Sequence, residues 1–349
     1  MHSACEVVGG HVCVPVRDQI SPCMSQYGTT RSAFVKAGVK KWQIRKEGVS
    51  AGVACLPYVS PMNDLAARVA AVMGRGVERL QPLGAGATGR VYLVELADGS
   101  KAVAKVAAGA EGEGLTIEAR MLAVLAARSA LPVPRVFAAV RDLLVMEYRP
   151  GRSSFDAGAE RHAAELLAAL HATRSEDGRY GLESDGLIGP LHLPNTWCGS
   201  WVEFWRERRV LHMTTCAARE VRLDREMAAR LERLAARLGD FLPDDPPASL
   251  IHGDVWAGNV LSEPGRITAF LDPAPYFAHH EVELAFITMF STFGDWFFRR
   301  YAEIAGTVNR EFWKVRRYVY TIFPLLVHVR LFGGSYVGQL DATLGMLGH

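Results

Sequence analysis

LIHGDVWAGN, residues 250–259, and RITAFLDPAPY, residues 266–276, decide how this chain is read. Asp254, the amide Asn259 five residues later and the second carboxylate Asp272 are separated by a turn and a short apolar run. The pattern predicts a loop, a strand and an acid presented at the strand's end. His252 opens the loop and is expected to tie it to nearby backbone, because Asp254 already supplies a base.

Two acids and an amide in this order match the layout that aligns a hydroxyl and holds magnesium on a nucleotide in protein kinases. Phosphoryl transfer asks little covalent help of a protein. It needs an aligned hydroxyl and neutralised phosphate charge, and these residue types supply both. Asp254 is the candidate catalytic residue, and Asn259 and Asp272 are the candidate magnesium ligands. An ordinary hairpin with common turn residues is the plain alternative.

An upstream half supports the first reading. Gly84, Gly86 and Gly89 form GxGxxG in LGAGATGRVY. A dinucleotide site would need a helix immediately afterwards, whereas RVYLVEL continues with β-branched and aromatic residues. A strand–loop–strand over ATP phosphates fits better. Beyond residue 61 the chain has only Lys101, Lys105 and Lys314 as lysines against 29 arginines. Lys105 lies in an apolar strand, where a compact ammonium reaches phosphate as a point charge. Glu118, on the next predicted helix, is its expected partner, in competition with Glu111 and Glu113. Glu147 and Tyr148 close the fifth predicted strand, where backbone would meet adenine.

The pattern predicts three strands in residues 77–107, a helix over 111–128 and two strands ending at Tyr148. Arg149-Pro150-Gly151 then reads as a hinge. Helices follow at Ala157–Ala172, Trp201–Cys216 and Val221–Leu238, and again from about Glu281, with breaks near Gly294, Gly306 and Gly333-Gly334. The expected fold is α+β and bilobal, protein-kinase-like: a five-stranded antiparallel lobe over 62–150 and a larger, mainly helical lobe over 151–349. Asn63 is the expected N-cap of a first helix.

Residues 1–61 differ in composition and read as a flexible leader, or as sequence upstream of a natural start at Met62. They hold 7 basic and 3 acidic residues, a balance of +4, against 32 basic and 34 acidic in the remainder, a balance of −2. The remainder therefore offers no basic excess for nucleic acid. No apolar run approaches the ~20 residues of a membrane helix, and no secretory pattern opens the chain. Cys198 and Cys216 suit a reduced, cytoplasmic protein. Nothing in the sequence specifies an oligomeric state.

On these motifs the chain resembles the fructosamine/ketosamine kinase family, within the aminoglycoside phosphotransferase and choline kinase-like group. LIHGDVWAGN is similar to the family's HGDLWxGN, and LDPAPYFAHHEVELAF to its DPAxYYGHREADLAM. NTWCGSWVEFWRERRV at 195–210, LFGGSY at 331–336 and AELLAALH at 164–171 extend the likeness. Ala278, His280 and Glu283 stand where the family commonly has Gly, Arg and Asp. The resemblance implies ATP-dependent phosphorylation of the sugar 3-hydroxyl of a ketosamine, with Mg2+, and so deglycation of an amine metabolite or a glycated protein amine. Trp256, Tyr276, His280 and Glu283 are the expected substrate residues. Trp201 and Trp205, spaced i and i+4, are expected in the core. Another kinase of the group, acting on an aminoglycoside, choline or a thiosugar, is the near alternative. A nucleotide-binding pseudokinase is a further one, against which Lys105, Asp254, Asn259 and Asp272 all stand intact.

Overall fold

The computed structural model describes residues 61–86, 89–107, 113–306 and 308–349. The expected leader lies outside the described residues, apart from Pro61.

The first helix, α1 (Pro61–Met73), begins at that proline, so Asn63 sits inside its first turn and does not cap it. Proline fits there because its missing N–H has no intrahelical partner in any case. The strands β1 (Val77–Gly86), β2 (Gly89–Leu96) and β3 (Lys101–Ala107) follow, then α2 (Gly114–Arg128), β4 (Val136–Val140) and β5 (Leu143–Glu147). All five strands pair antiparallel in the order β1-β2-β3-β5-β4.

Strand β3 is apolar because both of its faces are covered. Ala102 and Ala104 pack with Leu65 and Val69 of α1. Val103 and Ala107 point the other way, toward the cluster that contains Leu115, Ala119 and Leu122 of α2. Alternation of side chains along a strand places Lys105 with this second set. Lys105, the buried one of the strand's two lysines, thus projects into the space beneath α2.

Beyond β5 the connector is fastened. Arg152 and Ser262 exchange two backbone hydrogen bonds of 2.9 Å, and Thr268 Oγ1 donates to the Pro150 carbonyl at 2.5 Å. The expected hinge is therefore clamped to a hairpin of the lower lobe. That lobe comprises α3 (Ala157–Ala172), a hairpin of β6 (Gly186–Ile188) and β7 (Leu191–Leu193), then α4 (Trp201–Phe204), α5 (His212–Arg219) and α6 (Arg225–Ala236). Next come β8 (Ala248–Ile251), β9 (Val260–Glu263), β10 (Arg266–Phe270) and β11 (Tyr276–His279). Helices α7 (Glu281–Met289), α8 (Asp295–Ala305), α9 (Arg317–Phe332) and α10 (Ser335–Met346) complete it.

Helices α4 and α5 are joined without a break by π-helical turns over Trp205–Leu211. Trp201, Trp205, Arg209, Met213 and Ala217 are all buried at intervals of four residues. An ideal α-helix would rotate such a series by roughly 40° at every step and carry its end off the core. The wider i→i+5 turns take up that drift. Trp201 and Trp205 have no exposed surface, as their spacing predicted.

Candidate active site

The fully buried strand β8 delivers the chain to His252, and β11 runs antiparallel beside it, pairing Tyr276 with Ile251. The loop between them is shaped by its own backbone. Ala274 N–H donates to the His252 carbonyl and Leu271 N–H to the Asn259 carbonyl, both at 2.8 Å. At Gly253 φ is +86°, and a Cβ there would lie 2.1 Å from the Ala274 carbonyl oxygen. Only glycine tolerates both conditions.

Asn259 Nδ2 donates to Asp254 Oδ2 at 2.7 Å and to the Asp254 carbonyl at 3.0 Å. Since the Asp254 carbonyl only accepts, the amide nitrogen must face Asp254 and the amide oxygen is turned away from it. Burial, reinforced by the charge of Asp272, pushes the Asp254 carboxyl up to about 8. Its hydrogen bond from Asn259 opposes that rise.

From the upper lobe Lys105 Nζ donates to Glu118 Oε1 and to Asp272 Oδ1, each at 2.7 Å. One ammonium thus joins α2 to an acid two residues past β10. Burial alone would lower the Lys105 pKa, but Asp272 and Glu118 outweigh it and the net direction is upward. Burial pushes Glu118 up to about 7 against the pull of Lys105. Of the competing acids, Glu113 precedes the first turn of α2 on the exposed side, and Glu111 lies outside the described residues.

Asp272 adopts φ +47°, uncommon for a residue with a side chain. The turn aims its half-exposed carboxylate back at Lys105. With the Asn259 amide oxygen it offers two hard oxygen donors. Among the described residues no three of His, Cys, Asp and Glu form a metal cluster. Magnesium suits such a sparse set, because substrate phosphates and waters normally complete its shell.

The other predicted residues divide. Gly86 and Gly89 face each other across the mouth of the β1–β2 hairpin, with Gly84 opposite Val91. Glu147 accepts from the Arg135 backbone N–H at 3.2 Å, and Tyr148 lies 5.8 Å beneath Lys101 Nζ. Trp256 is 42% exposed. Its indole folds over Gly258, where a Cβ would come within 2.3 Å of the ring. Gly258→Ala should therefore lift the indole off the loop and raise the acceptor KM about fivefold or more, with nucleotide KM unchanged. Steady-state kinetics in both substrates checks this, and equal shifts in the two would count against it.

Tyr276 and Glu283 do not occupy the substrate-facing positions expected of them. Tyr276 is 1% exposed and carries the Arg209 guanidinium 4.0 Å over its ring, so no face remains for a sugar. Glu283 accepts from Gly253 N–H at 2.7 Å and His252 N–H at 3.2 Å, while His171 Nε2 bonds it at 2.9 Å. It anchors the loop from beneath. Burial opposes its ionisation, but the bonds from His171 and the backbone prevail and its carboxyl lies below the usual range. His280 lies 5.9 Å from His171, the histidine that bonds Glu283. Burial and neighbouring positive groups push His280 down to about 3, leaving a neutral ring where an arginine was the expected family residue. His252 is fully buried, and its Nδ1 accepts from Asp254 N–H at 3.3 Å, in keeping with a loop-fastening role.

Sequence reasoning missed Arg209 and Asn195. Arg209 is fully buried with no carboxylate partner among the described residues, and donates to Asn195 Oδ1 and the Pro194 carbonyl, both at 2.7 Å. An arginine in an otherwise apolar helical stripe was the available signal.

A small antiparallel lobe with a lysine–glutamate pair, set over a helical lobe with a loop carboxylate, an amide and a second carboxylate, defines a phosphotransferase of the kinase-like class. Comparison narrows the class. The family model for fructosamine kinase matches residues 61–347, and the chain belongs to the fructosamine kinase family. A "probable ketoamine kinase" of Escherichia coli strain K12 is 31% identical over 238 residues, 67% of this chain and 80% of that protein. A chloroplastic protein-ribulosamine 3-kinase of Arabidopsis thaliana is 28% identical over 200 residues, 54% of this chain and 60% of its own length. The crystal structure of a protein provisionally assigned as a fructosamine-3-kinase, from Thermobifida fusca, superposes with a TM-score of 0.74 at 32% identity. It covers 81% of this chain and 98% of that one.

Proposed function

We propose that the protein transfers the γ-phosphoryl group of ATP to a sugar hydroxyl of a ketosamine, the 3-hydroxyl by analogy with the names of its relatives. The observation that carries this is the meeting of Lys105, Glu118 and Asp272 at 2.7 Å, beside an Asp254 already held by Asn259. Lys105 binds the phosphates and Glu118 holds it forward. Asp254 accepts the proton of the acceptor hydroxyl, whose oxygen forms the new bond to phosphorus as the bond to the β-phosphate oxygen breaks and ADP departs. Magnesium, held by Asn259 Oδ1 and Asp272, would neutralise phosphate charge. Backbone after β5, near Glu147 and Tyr148, receives the adenine, and Gly84, Gly86 and Gly89 let the hairpin backbone approach phosphate. Among the described residues no helix is long and apolar enough to cross a membrane, and we place the enzyme in the cytoplasm.

The test is ATP consumption with fructosamines, ribulosamines and aminoglycosides offered separately. Stoichiometric ADP and a phosphorylated ketosamine are expected. Turnover with an aminoglycoside and none with either ketosamine would replace this reading with the other.

A further inference from the structure

Trp256 is the first ring of a series. Its indole lies 6.3 Å from Phe290 at the end of α7, and Phe290 lies 5.2 Å from the imidazole of His328 on α9. His328 in turn lies 5.6 Å from Phe332 and 4.8 Å from Tyr336. The sequence builds this line simply. His328 and Phe332 are four apart and share a helix face. The Gly333-Gly334 turn then returns Tyr336 of α10 to the same two rings.

The line starts on the catalytic loop and ends in solvent, since Phe332 is 63% exposed. It carries no ionised side chain. His328 Nδ1 donates to the Pro324 carbonyl at 2.7 Å, and burial holds its pKa below the ordinary histidine value. Trp256 and Phe332 are exposed at the two ends, with Phe290, His328 and Tyr336 half-buried between them, and a line of rings open to solvent beside a catalytic loop calls for an apolar occupant. An acceptor hydroxyl at Asp254 puts its sugar beside Trp256, two residues on. Phe290, 6.3 Å from that indole, is then the next ring open to a substituent on the sugar nitrogen, with His328 a further 5.2 Å along.

We infer that this aromatic line receives the substituent on the ketosamine nitrogen, and that the enzyme favours amines bearing an extended apolar chain, as a glycated lysine side chain does, over short ones. The inference rests on the ketosamine reading above. A methylene fully removed from water against a ring adds about fourfold to affinity, and one half covered adds about twofold.

The experiment compares 1-deoxy-1-(methylamino)fructose with its hexylamino counterpart as acceptors. The hexyl compound should show a kcat/KM higher by on the order of tenfold. Phe332→Ala, at an exposed position, should cut that ratio to about a third. Trp296→Ala, on an exposed face of α8 that lies against Arg161 and Arg299, should keep it. Equal kcat/KM for the two acceptors, or a ratio untouched by Phe332→Ala, would overturn the inference while leaving ketosamine phosphorylation in place. No turnover of either compound would overturn the ketosamine reading itself, and this inference with it.

Discussion

Asp254→Asn should lower kcat by about a thousandfold while nucleotide KM changes less than about threefold. The substitution keeps shape, and its amide oxygen still accepts from Asn259 Nδ2, so the 2.7 Å contact that fixes the loop survives. What disappears is a proton acceptor. The carboxyl is pushed up to about 8 by burial and by Asp272, which makes it a stronger base than an ordinary aspartate once the proton must move. In the proposed function, nucleotide contacts fall elsewhere, on Lys105 and the β1–β2 hairpin. Single-turnover phosphorylation with saturating ATP isolates the chemical step. A variant within tenfold of the parent rate would take Asp254 out of proton transfer.

Glu283→Ala should destabilise the fold by about 3–5 kcal/mol. Its carboxylate serves three donors: the backbone N–H groups of His252 and Gly253, and His171 Nε2. Truncation leaves all three buried without a partner, and each orphan costs about 1–3 kcal/mol, not fully additively. Urea unfolding measures the loss, and Glu283→Gln should recover roughly half, because one amide oxygen still accepts. A loss under about 1 kcal/mol would remove the anchor role. Acid offers an independent check. The folded carboxyl lies below its unfolded value, so its contribution is complete above the ordinary glutamate range and fades as pH falls through the folded value. The gap between parent and alanine variant should therefore narrow in acid.

Local chemistry was visible wherever it followed chain order. Five strands, the inserted helix and the Lys105–Glu118 pairing all follow from alternation, turn residues and a rare lysine. The Asp254–Asn259 contact follows from a loop too short to place them apart. What escaped depended on partners distant in sequence. Tyr276–His279 reads as an apolar run of either type until β8, some 25 residues upstream, is known to lie beside it. An aromatic near a catalytic acid, as Tyr276 is, can meet substrate or fill the core, and only the Arg209 guanidinium above its ring settles which. Glu283 was similarly ambiguous, yet α7 buries Glu281 through Ile287 without exception. A carboxylate in a helix apolar on all sides already signals an internal partner.

The π-turn between Trp205 and Leu211 has a consequence for how this polypeptide can vary. It amounts to one surplus residue in a rod of otherwise ordinary pitch. Excising a single position between Trp205 and Arg209 would restore regular winding and leave the buried series spaced by four, three, four and four residues, which an ordinary helix keeps on one face. Adding one instead would turn Trp201 and Trp205 by roughly 100° away from Met213 and Ala217. A one-residue gap should therefore be tolerated better in this stretch than an insertion.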